Sequence, residues 1–418
     1  ILWDAKVINV YNGDAYSVTL DSSNEVVDKD EFVDLEAKAY NKMYGKKDKD
    51  LYDHLQGIEA KGKVTVWIWY KSDIERLDRE ITRAEILARL AEEYERRSKP
   101  LIQHLERKGF RVEYAAKYSP LIIAEGSKSG IEELDGLADV DKMYLSTENK
   151  DFTLNSMRLT HGWPKGWGGV GDAAGVMVAV HEPDGISTPN PYLGAPVYWK
   201  PASPKVGPYP DNHATMVAGV VASRHTTYRG AARMVTLLSA NSQDWTDANL
   251  VAALEWAIAN GADIVNLSWG YTNPGPTPNA WSRYLSRLMP YYAVTPVAAA
   301  GNYRSEYPDN RRVTDPARGK NVFCVGGFDD MNTGGWGDDT MWAGSQYDDP
   351  ASPHNDIELP HFVAVGTRVY TTDWTSPWIS PEVSGTSFSA PAVAGMVATL
   401  MHKKPFLETW PEVSHAAL

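Results

Sequence analysis

The chain has 418 residues, a formal net charge of −13, 43% hydrophobic residues and 23% charged residues. This composition excludes a disordered or fibrous protein, and the length predicts two or three globular domains. Because an acidic chain lacks the basic surface that binding to a phosphate backbone requires, we expect no nucleic acid partner. Because the chain has one cysteine, it cannot form an intrachain disulfide.

Residues 1–60 are polar and are expected to form an N-terminal extension whose role the sequence leaves open. Apolar residues on both sides of Asn12-Gly13 predict a short β-hairpin. No apolar run approaches the roughly 18 residues of a membrane span, so we expect no membrane partner. The chain begins at Ile1 without the basic and apolar regions of a signal peptide, which predicts that such a peptide is absent or already removed.

Residues 61–150 show the order strand, helix, strand, strand, helix, strand, which predicts a ferredoxin-like α+β unit. The long helix is expected to restart after Pro100, because proline lacks the N–H of an interior helical residue, and to end at Gly109. The predicted strands cover 64–70, 112–114, 121–124 and 142–145, and the predicted helices cover 81–108 and 129–137.

Residues 151–418 alternate apolar strands with helices, which predicts an α/β domain built on a doubly wound parallel sheet. The predicted strands cover 176–180, 235–238, 263–268 and 294–300, and the predicted helices cover 246–260 and 392–401. Cys324 lies in an apolar run and is expected to be an inert core residue.

A run of small residues from Ser384 to Gly395 predicts a tight entry into a helix, with Pro391 in its first turn. Ser387 would then lie at the helix N-terminus, where partial positive charge favours a developing negative charge. This placement suits Ser387 to nucleophilic chemistry. The alternative is an ordinary turn capped by Ser389.

Two further segments carry side chains suited to the same chemistry. His213 lies at the entry of a small-residue helix, where it is either a base at neutral pH or a capping residue on the surface. Asn302 follows the apolar residues 298–300, at the end of a predicted strand. It either points an amide donor into the cleft at the carboxyl edge of the sheet or belongs to a turn that ends the strand.

Taken together, these segments resemble the catalytic domain of subtilisin-like serine proteases, the subtilases, over residues 155–405. Residues 385–395 read Gly-Thr-Ser-Phe-Ser-Ala-Pro-Ala-Val-Ala-Gly, close to the whole serine motif of that family, and the order His, Asn, Ser along the chain is also the family's. The His segment is looser, since Ala214 and Met216 stand where the family has glycine and a second histidine.

The resemblance implies a subtilisin-like fold and a serine endopeptidase that acts on protein or peptide substrates. In that mechanism Ser387 is the nucleophile, His213 is the general base, and the Asn302 amide with the Ser387 N–H forms the oxyanion hole. The expected lining of the substrate groove is Ser268, Trp269, Gly270, Ala300 and Gly301.

The acid of the triad departs from the family pattern. Glu182 has the register of the usual aspartate at the end of the strand, and Asp184 follows two residues later. We favour Glu182 as the acid that orients His213. The alternatives are Asp184 and a lost acid, which would leave a weak enzyme or a non-catalytic peptide-binding protein on the same scaffold.

The resemblance also gives residues 61–150 a meaning, because subtilases of this kind carry a prodomain of that shape that assists folding and inhibits the enzyme. The processing point is then expected within Ser146–Asn155, and the enzyme is expected to be secreted. The alternative is a permanently attached interaction domain.

No cofactor or metal is required by this mechanism. The loop that often binds calcium in the family corresponds to 223–230, which has two arginines and no carboxylate, so we expect that site to be absent. Calcium at the acidic loops around Asp329-Asp330 and Asp338-Asp339 stays a weaker alternative.

Overall fold

The computed structural model describes residues 3–8, 15–20, 26–27, 38–72, 74, 82–146, 150–151, 173–187, 190–199, 212–242, 244–271, 278–303, 312–331, 333, 337–348 and 358–417. A first antiparallel sheet contains the strands β1 (Trp3–Ile8), β2 (Ala15–Leu20) and β3 (Val26–Val27). The hairpin strands predicted in the extension are therefore confirmed, whereas the Asn12-Gly13 turn lies outside the described residues.

The ferredoxin-like arrangement is confirmed. Its sheet has the order β5-β6-β4-β7 with every neighbouring pair antiparallel, as the order of elements along the chain requires. The elements are β4 (Lys63–Tyr70), α2 (Arg83–Arg107), β5 (Arg111–Ala115), β6 (Leu121–Ser127), α3 (Lys128–Leu134) and β7 (Val140–Leu145), preceded by α1 (Lys49–Gln56).

The predicted break at Pro100 is wrong, because α2 continues through it. Proline removes the hydrogen bond to the carbonyl four residues earlier, at Arg96. Tyr94 and Leu105, on either side of Pro100, are completely buried, so packing of the helix on the sheet outweighs the loss of one bond. The predicted end is confirmed, since Gly109 has a φ of +82°.

Part of the extension packs with this unit. The Asp48 N–H donates to the Met143 carbonyl of β7 at 2.8 Å, and the Asp48 side chain caps α1. Leu51 and Leu55 of α1 are completely buried in the same core as β4 and β7. Residues 48–56 therefore belong to the same packed structure as the four-stranded sheet.

The α/β prediction for the rest of the chain is confirmed. The large sheet has the order β10-β11-β9-β12-β14-β15, with β16 and β17 both paired to β15, and only the β15–β16 pair is antiparallel. Its strands are β9 (Met177–Glu182), β10 (Val197–Tyr198), β11 (Thr236–Asn241), β12 (Ile264–Leu267), β14 (Thr295–Ala299), β15 (Phe323–Asp329), β16 (Thr340–Met341) and β17 (Phe362–Val365). A separate two-stranded pair consists of β8 (Lys150–Asp151) and β13 (Gly270–Tyr271).

Helices cover both faces of this sheet. The helices are α4 (Asn212–Ala222), α5 (Asp247–Ala259), α6 (Ala280–Leu285), α7 (Leu288–Tyr292), α8 (Thr386–Lys403), α9 (Phe406–Thr409) and α10 (Pro411–Ala417). One core joins the α4 and α8 side to Val178 and Val180 of β9, and the other joins the α5, α6 and α7 side to Ala179 of the same strand. Chain order changes direction between β9 and β12, which is where open α/β sheets form their ligand crevice.

The small residues of α4 allow a close approach to a neighbouring segment. A Cβ added to Gly219 would lie 2.2 Å from the Thr372 hydroxyl oxygen, so only glycine fits there. Thr371 and Thr372 donate hydroxyl hydrogen bonds to helix carbonyls at 2.7 and 2.6 Å. This contact fixes the helix that carries His213. Cys324 is completely buried and burial raises the pKa of its thiol, as expected for an inert core residue.

The ferredoxin-like unit packs against α5 and α6 through a buried carboxylate. Asp247 accepts the indole N–H of Trp67 from β4 at 2.7 Å and that of Trp281 from α6 at 2.8 Å. The Ser146 hydroxyl, just after β7, donates to the same carboxylate. The two indoles meet edge to face with centroids 5.2 Å apart.

A second carboxylate on α5 serves the same interface. Glu255 accepts the backbone N–H groups of Lys117 and Tyr118 at 3.1 and 3.0 Å, and it accepts the Tyr114 hydroxyl. Burial raises the pKa of Glu255, and these donors oppose that shift. On the far side, Arg83 of α2 donates to the Ala262 and Ala293 carbonyls at 2.8 and 3.0 Å.

Among the described residues, no helix combines the length and the apolar character that crossing a membrane would need.

The Trp67 contact predicts a stability effect. Trp67→Phe keeps an aromatic ring but removes one donor from Asp247, which is only 3% exposed. We expect a loss of about 1–3 kcal/mol, the usual effect of depriving a buried polar group of a partner. Urea unfolding measures it, with Trp410→Phe as the matched control because Trp410 is 48% exposed. Equal midpoints for the two variants would contradict the prediction.

Candidate active site

The carboxyl edge of the large sheet brings the predicted residues together. The β9–β12 ladder ends at the pair Val180 and Asn266. Glu182 is the last residue of β9, and Ser268 directly follows β12. His213 and Ser387 are the second residues of α4 and α8, so both helices begin at this edge.

Ser387 lies in the first turn of α8. Gly385 caps the helix with a φ of +150°, a value that L side chains rarely adopt. The helix starts at Thr386, earlier than predicted, and Pro391 therefore lies in its second turn rather than its first. The Ser389-capped turn is wrong for the same reason.

The position of Pro391 has a local consequence. Proline has no N–H to donate to the carbonyl four residues earlier, which is that of Ser387. The Ser268 hydroxyl donates to this carbonyl at 2.8 Å, and in return the Ser387 hydroxyl donates to the Ser268 carbonyl at 2.9 Å. Both side chains are 1% exposed. This reciprocal pair of hydrogen bonds ties the start of α8 to the end of β12.

His213 contacts the glutamate at the end of β9. Its Nδ1 lies 3.3 Å from Oε2 of Glu182, and both side chains are completely buried. The other carboxylate oxygen of Glu182 accepts the Ser268 N–H at 3.2 Å. A carboxylate only accepts, so Nδ1 carries the hydrogen in this pair and Nε2 is the basic nitrogen. Asp184 lies two residues further on and is half-buried.

The side-chain orientation of Asn302 is fixed by α8. Its Oδ1 accepts both the N–H and the hydroxyl of Thr386, each at 2.9 Å. The Thr386 hydroxyl oxygen also accepts the Gly301 N–H at 3.2 Å. Because an N–H can only donate, the amide oxygen must face Thr386, and the amide NH₂ is turned away from it.

Of the residues predicted to line the groove, Gly270 lies in a strand that another segment of the chain already pairs with. Gly270 pairs with Asp151, and Tyr271 pairs with Lys150, so β8 adds antiparallel to β13. Thr314 donates its hydroxyl to the Tyr271 carbonyl at 2.7 Å on the other edge. Ser268 and Trp269, next to β13, are 1% and 2% exposed. Ala300 is completely buried at the end of β14, and Gly301 is half-buried beside it.

Three residues at this edge had no predicted role. Asn266 donates its amide N–H to the Ser268 hydroxyl oxygen at 2.8 Å, and Thr386 holds Asn302. His181, next to Glu182, contacts Trp269. The available signal was a polar side chain inside an apolar run, as Asn266 is in β12, because such a residue needs a specific partner when it is buried.

No group of three or more His, Cys, Asp or Glu side chains suited to a metal ion occurs in the described part of the chain. In the acidic loops, Asp329 pairs with Arg368, and Asp338 accepts the Thr333 hydroxyl at 2.8 Å. Cys324 is buried in the core with a protonated thiol and belongs to no such group among the described residues.

The reciprocal bonds predict a stability difference between two buried serines. Ser268→Ala removes the donor to the Ser387 carbonyl and the acceptor of the Asn266 amide, so we expect a loss of about 1–3 kcal/mol. Ser389→Ala is the matched control, because the Ser389 hydroxyl is equally buried and has no hydrogen-bond partner among the described residues. Urea unfolding of both variants makes the comparison, and equal losses would contradict it.

Comparisons with known proteins point to one family. A model of the subtilase family matches residues 174–418. Subtilisin E of Bacillus subtilis (strain 168) is 24% identical over 320 residues, which is 73% of this chain and 76% of that protein. Subtilisin DY of Bacillus licheniformis is 29% identical over 204 residues, which is 47% of this chain and 66% of that protein.

A solved structure shows the same fold. Fervidolysin from Fervidobacterium pennivorans, described as a keratinolytic enzyme related to subtilisin, matches with a TM-score of 0.58 and 17% identity, over 84% of this chain and 56% of that one. The chain therefore spans only part of the length of fervidolysin and of subtilisin DY. Since the family model covers more than half of its residues, the chain belongs to the subtilase family, the family of the subtilisin-like serine proteases.

Proposed function

We propose that the protein is a serine endopeptidase that hydrolyses peptide bonds through an acyl-enzyme. The observation that carries the proposal is the meeting of three elements at one sheet edge: Ser387 at the N-terminus of α8, the buried contact of His213 with Glu182, and the strand edge beside Ser268. Each element supplies one requirement of acyl transfer, namely a nucleophile, an oriented base and a place for the substrate.

In the proposed mechanism, the Ser387 hydroxyl turns from the Ser268 carbonyl to Nε2 of His213 and attacks the substrate carbonyl. His213 takes the hydroxyl proton and then gives it to the leaving amine, which breaks the peptide bond. A water molecule repeats the sequence on the ester and releases the acid. Glu182 keeps the hydrogen on Nδ1 and stabilises the imidazolium that forms, in the role that aspartate has elsewhere in the family.

We propose the oxyanion hole from the Asn302 amide and the Ser387 N–H. Support for Asn302 comes from Thr386, whose two donors hold the amide oxygen and so fix the orientation of the NH₂ group. Support for the Ser387 N–H comes from its position in the first turn of α8, where backbone N–H groups have no acceptor within the helix. Preorganised donors of this kind are worth about 10²–10³ in kcat per donor.

We further propose that the N-terminal unit is a prodomain that inhibits the enzyme, and that the enzyme is secreted. The pairing of β8 with β13 supports inhibition, because it gives the groove edge a strand of the chain itself. The pairing also orders the segment: Lys150 and Asp151 lie on the side away from Ser268, so self-cleavage is expected after Asp151. This narrows the predicted window of 146–155 to its last part, which lies outside the described residues.

Ser387→Ala tests the function. Without the nucleophile we expect no peptide hydrolysis and no self-cleavage, whereas the wild type is cut between Asp151 and Asn155. Mass spectrometry of the purified protein over time gives the site and the rate. Ser389→Ala, in the same helix turn, is the control and is expected to process at the wild-type rate.

Two outcomes would count against the proposal. Processing of Ser387→Ala at the wild-type rate would remove the serine from its role. Peptide binding by the wild type with neither turnover nor self-cleavage would favour the non-catalytic alternative.

A pair of carboxylate variants tests the acid. In Glu182→Gln the amide oxygen is needed by the Ser268 N–H, so a donating NH₂ faces Nδ1 and favours the wrong tautomer of His213. We therefore expect kcat to fall by about 10⁴-fold, the effect of the corresponding change in Ser-His-Asp triads. Asp184→Asn is expected to lose less than about fivefold, because Asp184 lies beyond the end of β9 whereas Glu182 itself meets His213. Steady-state kinetics on one peptide measures both. A larger loss in Asp184→Asn would reverse the assignment.

A further inference from the structure

We propose that His181 is a positioning residue for the substrate groove, which it controls by holding the indole of Trp269. The inference rests on the proposed function, since the groove is that of the proposed peptidase. His181 precedes Glu182 on β9, and because side chains alternate along a strand, the two point to opposite faces. Glu182 meets His213, and His181 meets α5 and Trp269.

The hydrogen bonds of His181 define its tautomer. The ring is completely buried, and Nε2 lies 2.8 Å from the Leu250 carbonyl of α5. A carbonyl only accepts, so Nε2 carries the hydrogen and Nδ1 is an acceptor. The Trp269 indole N–H fills this role, 3.2 Å from Nδ1 and 3.1 Å from the His181 carbonyl. Burial lowers the pKa of His181 to about 4, in keeping with a neutral ring.

The bond from the Trp269 indole to His181 lies where the sheet itself no longer joins the two strands. The β9–β12 ladder ends at Val180 and Asn266, so the His181 carbonyl lies beyond the last pair to β12. Trp269 belongs to the segment that follows β12, and its indole donates to this β9 carbonyl. The side chain thereby ties the groove edge to β9, on the face opposite the triad.

Trp269 occupies the middle of the groove edge. Ser268, before it, exchanges hydrogen bonds with Ser387, and Gly270, after it, pairs with Asp151. A shift of the Trp269 backbone would therefore move the strand-pairing edge relative to the nucleophile. The indole also packs edge to face on Trp281 at 5.2 Å. The packing of the two indoles limits the volume that Trp269 can occupy, whereas the directional N–H bond fixes the position and rotation of its ring within that volume.

A purely structural role would not require this polar pair. Two apolar side chains would fill the same buried volume without the desolvation of an imidazole and an indole N–H. A fully satisfied polar pair instead selects one arrangement of the groups around it. The geometry points to the backbone position of the groove edge, residues 268–271, as the arrangement that this pair selects.

Three variants at position 181 separate the two bonds. His181→Phe removes both, His181→Asn keeps an acceptor near the Nδ1 position, and His181→Gln keeps a donor near the Nε2 position. For a peptide long enough to pair with Gly270 and Tyr271, we expect His181→Phe and His181→Gln to raise KM about tenfold, as the loss of one hydrogen bond allows. The kcat is expected to change less than about threefold, and His181→Asn to restore most of KM.

A short ester substrate that reaches only Ser387 is the control. We expect its KM to be the same in all three variants, because it does not use the groove edge. If His181→Gln restores KM and His181→Asn does not, the Leu250 bond to α5 is the one that counts and the proposal is overturned. Equal losses with the ester and the peptide would also overturn it, since they would mark a general effect on the fold.

A measurement without turnover separates this inference from the proposed function. In the Ser387→Ala chain, which keeps its own β8 segment in the groove, hydrogen exchange at residues 150–151 reports the pairing with β13. His181→Phe and His181→Gln are expected to speed exchange there about tenfold, and His181→Asn to leave it unchanged. Unchanged exchange in all three would refute the positioning role, even if hydrolysis is confirmed. Faster exchange in His181→Phe and His181→Gln, with unchanged exchange in His181→Asn, would support the positioning role even if the wild type hydrolyses no peptide.

Discussion

The parallel ladder between β9 and β12 ends at Val180 and Asn266, and the candidate site depends on how the groups beyond that pair are satisfied. Side chains replace the missing ladder bonds: Glu182 accepts the Ser268 N–H, and the Trp269 indole donates to the His181 carbonyl. Directional bonds thus join β9 to the segment after β12 where the ladder itself has ended. The carboxylate is held at the place where His213 reaches it.

Helix α5 connects this end of the ladder to the N-terminal unit. Its Leu250 carbonyl holds His181 on the inner side, and Asp247 and Glu255 accept donors from the N-terminal unit on the outer side. Both carboxylates are about as buried as a core residue, at 3% exposure each. In the proposed precursor, departure of the prodomain removes donors from both, so separation of the units is opposed by polar groups as well as by apolar area.

The sequence predicted the elements better than their partners. Alternation and apolar runs located the strands, because burial on one or both faces leaves a periodic pattern, and the short motifs located Ser387, His213 and Asn302. The predictions at Pro100 and Pro391 were wrong for one reason. The local rule considers only the hydrogen bond that proline removes from its own helix, whereas contacts with distant parts of the chain decide whether the helix tolerates that loss. The Ser268 hydroxyl that serves the Ser387 carbonyl lies 119 residues away in the chain.

Glutamate at position 182 fits the same constraint. The carboxylate must meet Nδ1 of His213 with one oxygen and the Ser268 N–H with the other, from a strand that has already left its ladder to β12. Both contacts are long for charge-assisted bonds, at 3.3 and 3.2 Å, and both partners are fully or almost fully buried. A shorter carboxylate on the same backbone would lengthen at least one of them, and β9 would have to move toward α4 to recover it. The bonds between His181 and Trp269 on the other face of β9 oppose such a move. The longer side chain of Glu182 and the polar pair beside it therefore meet the same requirement, since together they keep the carboxylate within reach of both partners without a shift of the strand.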